Sequence, residues 1–162
     1  MKKIVTVLLL MCISAGLQAQ SISFFDLTNL TNLSEGQAHT YLVLGGVFKH
    51  EYQEEVNGKK LEHFRSKSNK VAPQTIVIGQ NEVQANGTIL RTVSYTTQDP
   101  QHIVNLIAQA KRSRMVLKFQ GQDQDNNIYK FGNEFYDIVM LISTNNNKGS
   151  VQVTQKEFIG YQ

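Results

Sequence analysis

The stretch Asp99-Pro100-Gln101-His102-Ile103-Val104-Asn105-Leu106-Ile107-Ala108-Gln109-Ala110-Lys111-Arg112 carries a full set of helix signals. Asp99 is a preferred N-cap residue, and Pro100 sits at the first helical position, where its missing N–H costs nothing. Ile103, Leu106, Ile107 and Ala110 fall on one face, and Lys111 and Arg112 complement the negative end of the helix dipole. The pattern predicts a helix over about 100–112. Its place in the chain decides the fold, because the residues on both sides read as strands.

Four strand-like runs precede it: Val47 to Glu54, Lys59 to Ser66, Thr75 to Val83 and Thr88 to Thr96. Four follow: Met115 to Gln120, Asn127 to Phe131, Tyr136 to Ser143 and Val151 to Phe158. Each set is broken by Asn-, Asp- and Gly-containing turns. A further helix is expected over about 34–44, where Ser34 and Gln37 form a capping box, Ala38, Tyr41 and Leu42 make an apolar stripe, and Gly45-Gly46 ends it. The order is helix, four strands, helix, four strands. The expected fold is α+β, two repeats of one helix plus a four-stranded antiparallel sheet, with units over 20–98 and 99–162.

Two Asn-Gly turns set the expected register. In Gln84-Ala85-Asn86-Gly87-Thr88 a three-residue loop pairs Gln84 with Thr88 and collects Val77, Val83, Ile89, Val93 and Tyr95 on one face, a better core than the two-residue alternative gives. The same register in the first hairpin, through Asn57-Gly58, gathers Phe48, Tyr52 and Phe64, with His50, Lys60 and Glu62 on the same face. In the second half, alternation with Met115 and Leu117 directs Phe119 to the core.

Internal similarity is present but sparse. Leu61-Glu62-His63-Phe64 matches Ile128-Tyr129-Lys130-Phe131 at an offset of 67, and Thr75-Ile76-Val77-Ile78 matches Asp137-Ile138-Val139-Met140 at 62. With the element order, this resembles the tandem β-lactamase-inhibitory-protein-like folds. Those proteins carry an aliphatic-rich Gly-Met-Thr motif leading into a helix, which Leu27-Thr28-Asn29-Leu30-Thr31-Asn32-Leu33-Ser34 echoes with Asn32 in place of Gly. Tandem cystatin-like units are a comparable resemblance. The implied role is protein binding on a sheet surface, and no functional residue is carried over.

Residues 1–19 read as a secretory leader: Lys2-Lys3, the apolar run Ile4 to Ile13, and small residues ending at Ala19. The apolar run is half the length a membrane span requires. Met11 before Cys12 disfavours lipoprotein processing. Cleavage after Ala19 leaves a mature chain from Gln20 to Gln162 with no cysteine. It also removes Lys2 and Lys3 from the 16 basic side chains, so that the remainder nearly balance the 13 acidic ones. The expected product is therefore periplasmic or secreted, without a transmembrane helix, thiol chemistry or a Cys-ligated metal. Its near-neutral charge argues against nucleic acid as a partner. The Lys-Lys leader and the abundance of Asn and Gln in the mature chain resemble exported proteins of Gram-negative bacteria such as the Bacteroidota.

No motif that carries chemistry survives inspection. His50 and His63 share a ligand face only in the two-residue register. His39 and His102 sit at helix starts without a nucleophile elbow. Asp123 and Asp125 open like a Ca²⁺ loop but lack the glycine at its sixth position and the glutamate at its twelfth. The basic group Lys111, Arg112, Arg114 and Lys118 is accounted for by the helix end and a solvated strand. No cofactor is expected, His50, His63, Asp123 and Asp125 are the weak metal candidates, and a binding role ranks ahead of catalysis. An exposed sheet face bearing Tyr129 and Tyr136 among amides is the expected recognition surface, for another protein or a cell-envelope component. The alternatives are an envelope-acting hydrolase using dispersed carboxylates and a self-associating structural component of the envelope.

Overall fold

The computed structural model describes residues 22–68 and 72–157. The expected leader, Cys12 included, and the end of the expected last strand lie outside the described residues. Helices α1 (Phe24–Asn32) and α2 (Glu35–Leu44) lead into strands β1 (Phe48–Val56), β2 (Lys59–Ser66), β3 (Gln74–Val83) and β4 (Ile89–Thr97). Helix α3 (Pro100–Arg112) follows, then β5 (Val116–Gln122), β6 (Asn126–Gly132), β7 (Tyr136–Ser143) and β8 (Gly149–Gln155). The protein is α+β, dominated by one eight-stranded antiparallel sheet of order β1-β2-β3-β4-β8-β7-β6-β5. The seam between its halves is the β4–β8 pair, in which Tyr95 lies opposite Val151.

Helix α3 follows the sequence reading closely. Asp99 Oδ1 accepts from the Gln101 amide, and Ile103, Leu106, Ile107 and Ala110 are buried. Helix α2 has its Ser34–Gln37 capping box, with Ala38 and Leu42 buried. Helix α1 is the element the sequence reading missed. Ser23 and Asp26 form a reciprocal capping box at its start, a pattern with Asp where Glu or Gln is usual. Its face of Phe24, Leu27, Leu30 and Thr31 is buried, and burying each leucine contributes about 1.5–3 kcal/mol. Helix α1 lies across β4 and β8, α2 against β1 and β3, and α3 across β7 and β8, so all three cover one face. The resulting core runs through both sets of strands, from Phe48, Phe64 and Ile76 through Tyr95 and Val153 to Ile138 and Phe131.

Bulges correct the expected register. The first hairpin turns through two residues, Asn57 (φ 52°) and Gly58 (φ 75°), with Val56 opposite Lys59. This is the primed turn that Asn-Gly favours. A bulge at Glu51 then shifts the ladder, so Tyr52 faces His63 while His50 faces Phe64. Tyr52 thereby leaves the face of Phe48 and Phe64. The second hairpin has the expected three-residue loop, with the Gln84 amide donating to the Thr88 carbonyl. A bulge at Ile78-Gly79 nevertheless puts Val77 on the opposite face and brings Ile76 and Ile78 into the core. Gly79 has φ +96°, and a Cβ there would sit 2.1 Å from the Lys60 carbonyl oxygen, so only glycine fits.

A third bulge, at Lys118 in β5, places Phe119 opposite Lys130 rather than on the core side with Leu117 and Phe131. The expectation that Phe119 points into the core is corrected for this reason. A bulge puts an extra residue on one strand, and every side chain beyond it changes face.

Candidate functional site

The helices leave the other face of the sheet open. At its centre the paired strands β4 and β8 present Thr92 opposite Thr154, Ser94 opposite Gln152, and Thr96 opposite Ser150. The floor is thus hydroxyl and amide, with a 3.3 Å hydrogen bond between the Thr92 and Thr154 hydroxyls. A depression of about 200 Å³ lies over β4, β8 and β7, bordered by Val139 and Leu141. It adjoins a cleft of about 430 Å³ at one end of the same face, reached through Thr96, Leu141 and Ser150.

An aromatic residue stands at each wing of the face. On the β1 side Tyr52, 48% exposed, stacks on His63 with ring centroids 4.2 Å apart and planes 13° apart. His63 Nε2 lies 2.8 Å from Glu54 Oε1, which fixes the imidazole beneath the phenol. On the β5 side Phe119, 47% exposed, lies along its own strand over Gly121, where a Cβ would meet the ring at 2.5 Å. The Lys130 ammonium sits 5.7 Å from the Phe119 centroid, within cation–π range. Lys118 crosses Gly132 to reach Asp137 Oδ1 at 2.7 Å. Both wings depend on bulges in edge strands, because Glu51 and Lys118 are what turn Tyr52 and Phe119 outward.

Tyr129 and Tyr136, expected on an exposed face, both turn toward the helices. Tyr136 is only 8% exposed, its hydroxyl accepts from Asn32 Nδ2 at 2.7 Å, and Tyr129 packs against the core. They alternate in register with buried Phe131, Ile138 and Met140, and this puts them on the covered side. The exposed rings on the open face are instead Tyr52 and Phe119.

The remaining candidates separate in space. His50 stands on the helix side beside Phe64, whereas His63 is on the open side, so the two share no site. His39 Nδ1 and His50 Nε2 flank one oxygen of Glu62 at 2.6 and 3.7 Å, a cluster joining α2 to β1 and β2 that the sequence reading did not find. Asp123 accepts from the amides of Asp125 and Asn126, which hold its carboxyl below the usual range, and Asp125 Oδ1 accepts from Asn145 Nδ2. This is a hydrogen-bonded turn. Among the described residues no group of three or more His, Cys, Asp or Glu side chains is arranged to hold a metal ion.

His102 sits 3.1 Å from the Tyr95 hydroxyl and 3.5 Å from Asp99. Burial pushes the Tyr95 hydroxyl well above the usual phenol range, with hydrogen bonding from Thr97 in opposition and Asp99 adding to the rise. The phenol therefore stays protonated, buried among core side chains.

A second surface feature is an apolar groove of about 1270 Å³ between α1, α2 and the start of β1, lined by Ile22, Leu33, Leu42, Val47 and Phe48. Tyr41 donates to Asp26 along it. Burial raises the Asp26 carboxyl, but hydrogen bonds from the Ser23 hydroxyl, Tyr41 and the Ser23 amide outweigh it and hold the group low. The bond to Asp26, with some burial, raises the Tyr41 phenol.

No protein-family model, curated protein or solved structure matches the chain. Among the described residues no helix is long and apolar enough to cross a membrane.

Proposed function

We propose that this is an exported binding protein that engages a partner protein through the open face of its sheet. The observation that carries the reading is the make-up of that face: a floor of small hydroxyl and amide side chains between Tyr52 and Phe119, both solvent-exposed. Aromatic anchors supply large contact area at low conformational cost, and small polar side chains supply adaptable hydrogen bonds. The leader-like segment from Met1 to Ala19 supports a role outside the cytoplasm.

The chain is further read as two helix-plus-four-strand units. The mirrored strand order supports this, as does the spacing of the edge bulges. Glu51-Tyr52 and Lys118-Phe119 stand at the same offset that relates Leu61–Phe64 to Ile128–Phe131. A partner bound on a sheet formed by two such units is what the resemblance to tandem inhibitory-protein folds implies.

The test is site-specific photocrosslinking in the native envelope. A photoreactive residue at Ser94, on the open floor, should give a discrete protein adduct, and one at exposed Ala108 on α3 should not. Equal labelling from both positions, or turnover of an envelope polymer by the pure protein without a partner, would overturn the reading.

A further inference from the structure

The charges on the open face are unevenly distributed. At the end away from the two Asn-Gly turns, Lys49 lies opposite Arg65, Lys67 continues the β2 line, and Lys148 projects from the β7–β8 connection. Among the described residues Arg65 has one ion pair, with Glu51 at 2.9 Å, while Lys49, Lys67 and Lys148 have none. Asp125 lies near this end, its carboxylate accepting from Asn145, and with Glu51 it offsets part of this charge, which four cations outnumber. Toward the other end Lys118 pairs with Asp137, His63 lies beside Glu54, and Lys130 sits over the Phe119 ring. The excess of cations is therefore local, although the chain as a whole is nearly neutral.

The cleft of about 430 Å³ opens within this basic end. Arg65 and Lys148 stand in its walls, and among the described residues no carboxylate lines it. The hydroxyls of Thr75, Thr96 and Ser150 in its lining make no hydrogen bond within the described residues, so they remain free to donate. Cations flanking unused hydroxyl donors suit a carboxylate, whose two oxygens accept several bonds at once. Among the described residues the lining contains no aromatic ring. Sugars and bases are commonly gripped by stacking on aromatic faces, which the cleft cannot offer, whereas an acidic peptide needs only charge and hydrogen bonds.

We infer that this cleft receives the carboxylate side chains of an acidic segment of the partner protein. The inference rests on the reading of the open face as the binding surface. It assigns Lys148 and Lys49 to steering and holding the acidic segment, with Thr96 and Ser150 as the hydrogen-bonding floor.

Fluorescence anisotropy with a labelled octaglutamate peptide tests it on the purified protein, with octaglutamine and oligogalacturonate as comparison probes. Octaglutamate should bind saturably at ~10 mM salt and weaken by ~150 mM, as exposed charges are screened. The double variant Lys49→Gln/Lys148→Gln should lose about tenfold or more in affinity, whereas Lys111→Gln, on α3, should match the parent. Absence of saturable octaglutamate binding up to ~1 mM, an equal loss in Lys111→Gln, or tighter binding of oligogalacturonate with the same lysine dependence would each overturn the inference. If octaglutamate fails while the Ser94 adduct persists, this inference falls and the open-face reading stands. Loss of the Ser94 adduct would remove the reading itself.

Discussion

The Tyr52 ring lies nearly parallel on the His63 imidazole, with centroids 4.2 Å apart, because the bulge at Glu51 sets the two residues opposite each other on the open side of the sheet. One pairing step earlier, two residues back on β1, the ladder pairs His50 with Phe64 on the covered side. A single extra residue in an edge strand thus separates a solvent-exposed aromatic from the core.

Gly79→Ala should be among the most destabilising single changes. The new Cβ meets the Lys60 carbonyl at 2.1 Å, and φ +96° is strained for any side chain. A loss of about 2–4 kcal/mol is expected in urea unfolding. Gly36→Ala has open space around it and lies in the first turn of α2, so it should be neutral or gain about 0.5 kcal/mol.

Tyr136 serves stability. Tyr136→Ala removes a buried ring and should cost about 3–5 kcal/mol, while Tyr136→Phe, which loses only the Asn32 hydrogen bond, should cost about 1 kcal/mol. Thermal melts of the two variants check this. Equal, negligible effects would mean that the ring is not packed under α1.

Arg91 makes a prediction of the opposite sign. Among the described residues its Nε and Nη1 are buried without a hydrogen-bond partner, an arrangement that costs desolvation and recovers little. Arg91→Met keeps the aliphatic stem and should be neutral or stabilise by about 1 kcal/mol in chemical denaturation. A loss of about 2 kcal/mol or more, approaching that for breaking a paired buried charge, would show that the guanidinium has a partner in solution.

Asp26 gives a pH dependence. Its carboxyl is held below the ordinary value of 3.8, so its stabilising contribution is complete above that value and disappears as pH falls through the lower folded-state pKa. Asp26→Asn should lower the melting temperature at pH 7 and flatten the stability loss below about pH 4, as followed by melts across pH. An unchanged acid limb in Asp26→Asn would contradict the assignment.

How far the sequence can be read depends on how local each signal is. Helix α3 is legible because cap, Pro100, apolar stripe and terminal cations all lie within one short consecutive run. All eight strands fall where alternation and turns place them, give or take their ends. Helix α1 has a local signal as well, Ser23 and Asp26 ahead of Leu27 and Leu30, but Asp stands where a capping box usually has Glu or Gln, which weakens it. The faces are harder. Nothing in Lys49-His50-Glu51-Tyr52 or Leu117-Lys118-Phe119 marks a bulge, since bulges there answer to neighbouring strands. Only Gly79 announces one by residue type. Strict alternation therefore sends Tyr52 and Phe119 to the core, whereas in the unbulged β6 and β7 it places Tyr129 with Phe131, and Tyr136 with Ile138 and Met140, on the covered side.

The open-face account is tested most directly by the double variant Tyr52→Ala/Phe119→Ala, with the photoreactive residue at Ser94 read out in the native envelope. Both rings are about half exposed and outside the core, so the melting temperature should stay within a few degrees of the parent. The Ser94 adduct should be lost. An adduct of undiminished yield in a folded double variant would contradict the account, because the partner would then be held without either aromatic wing.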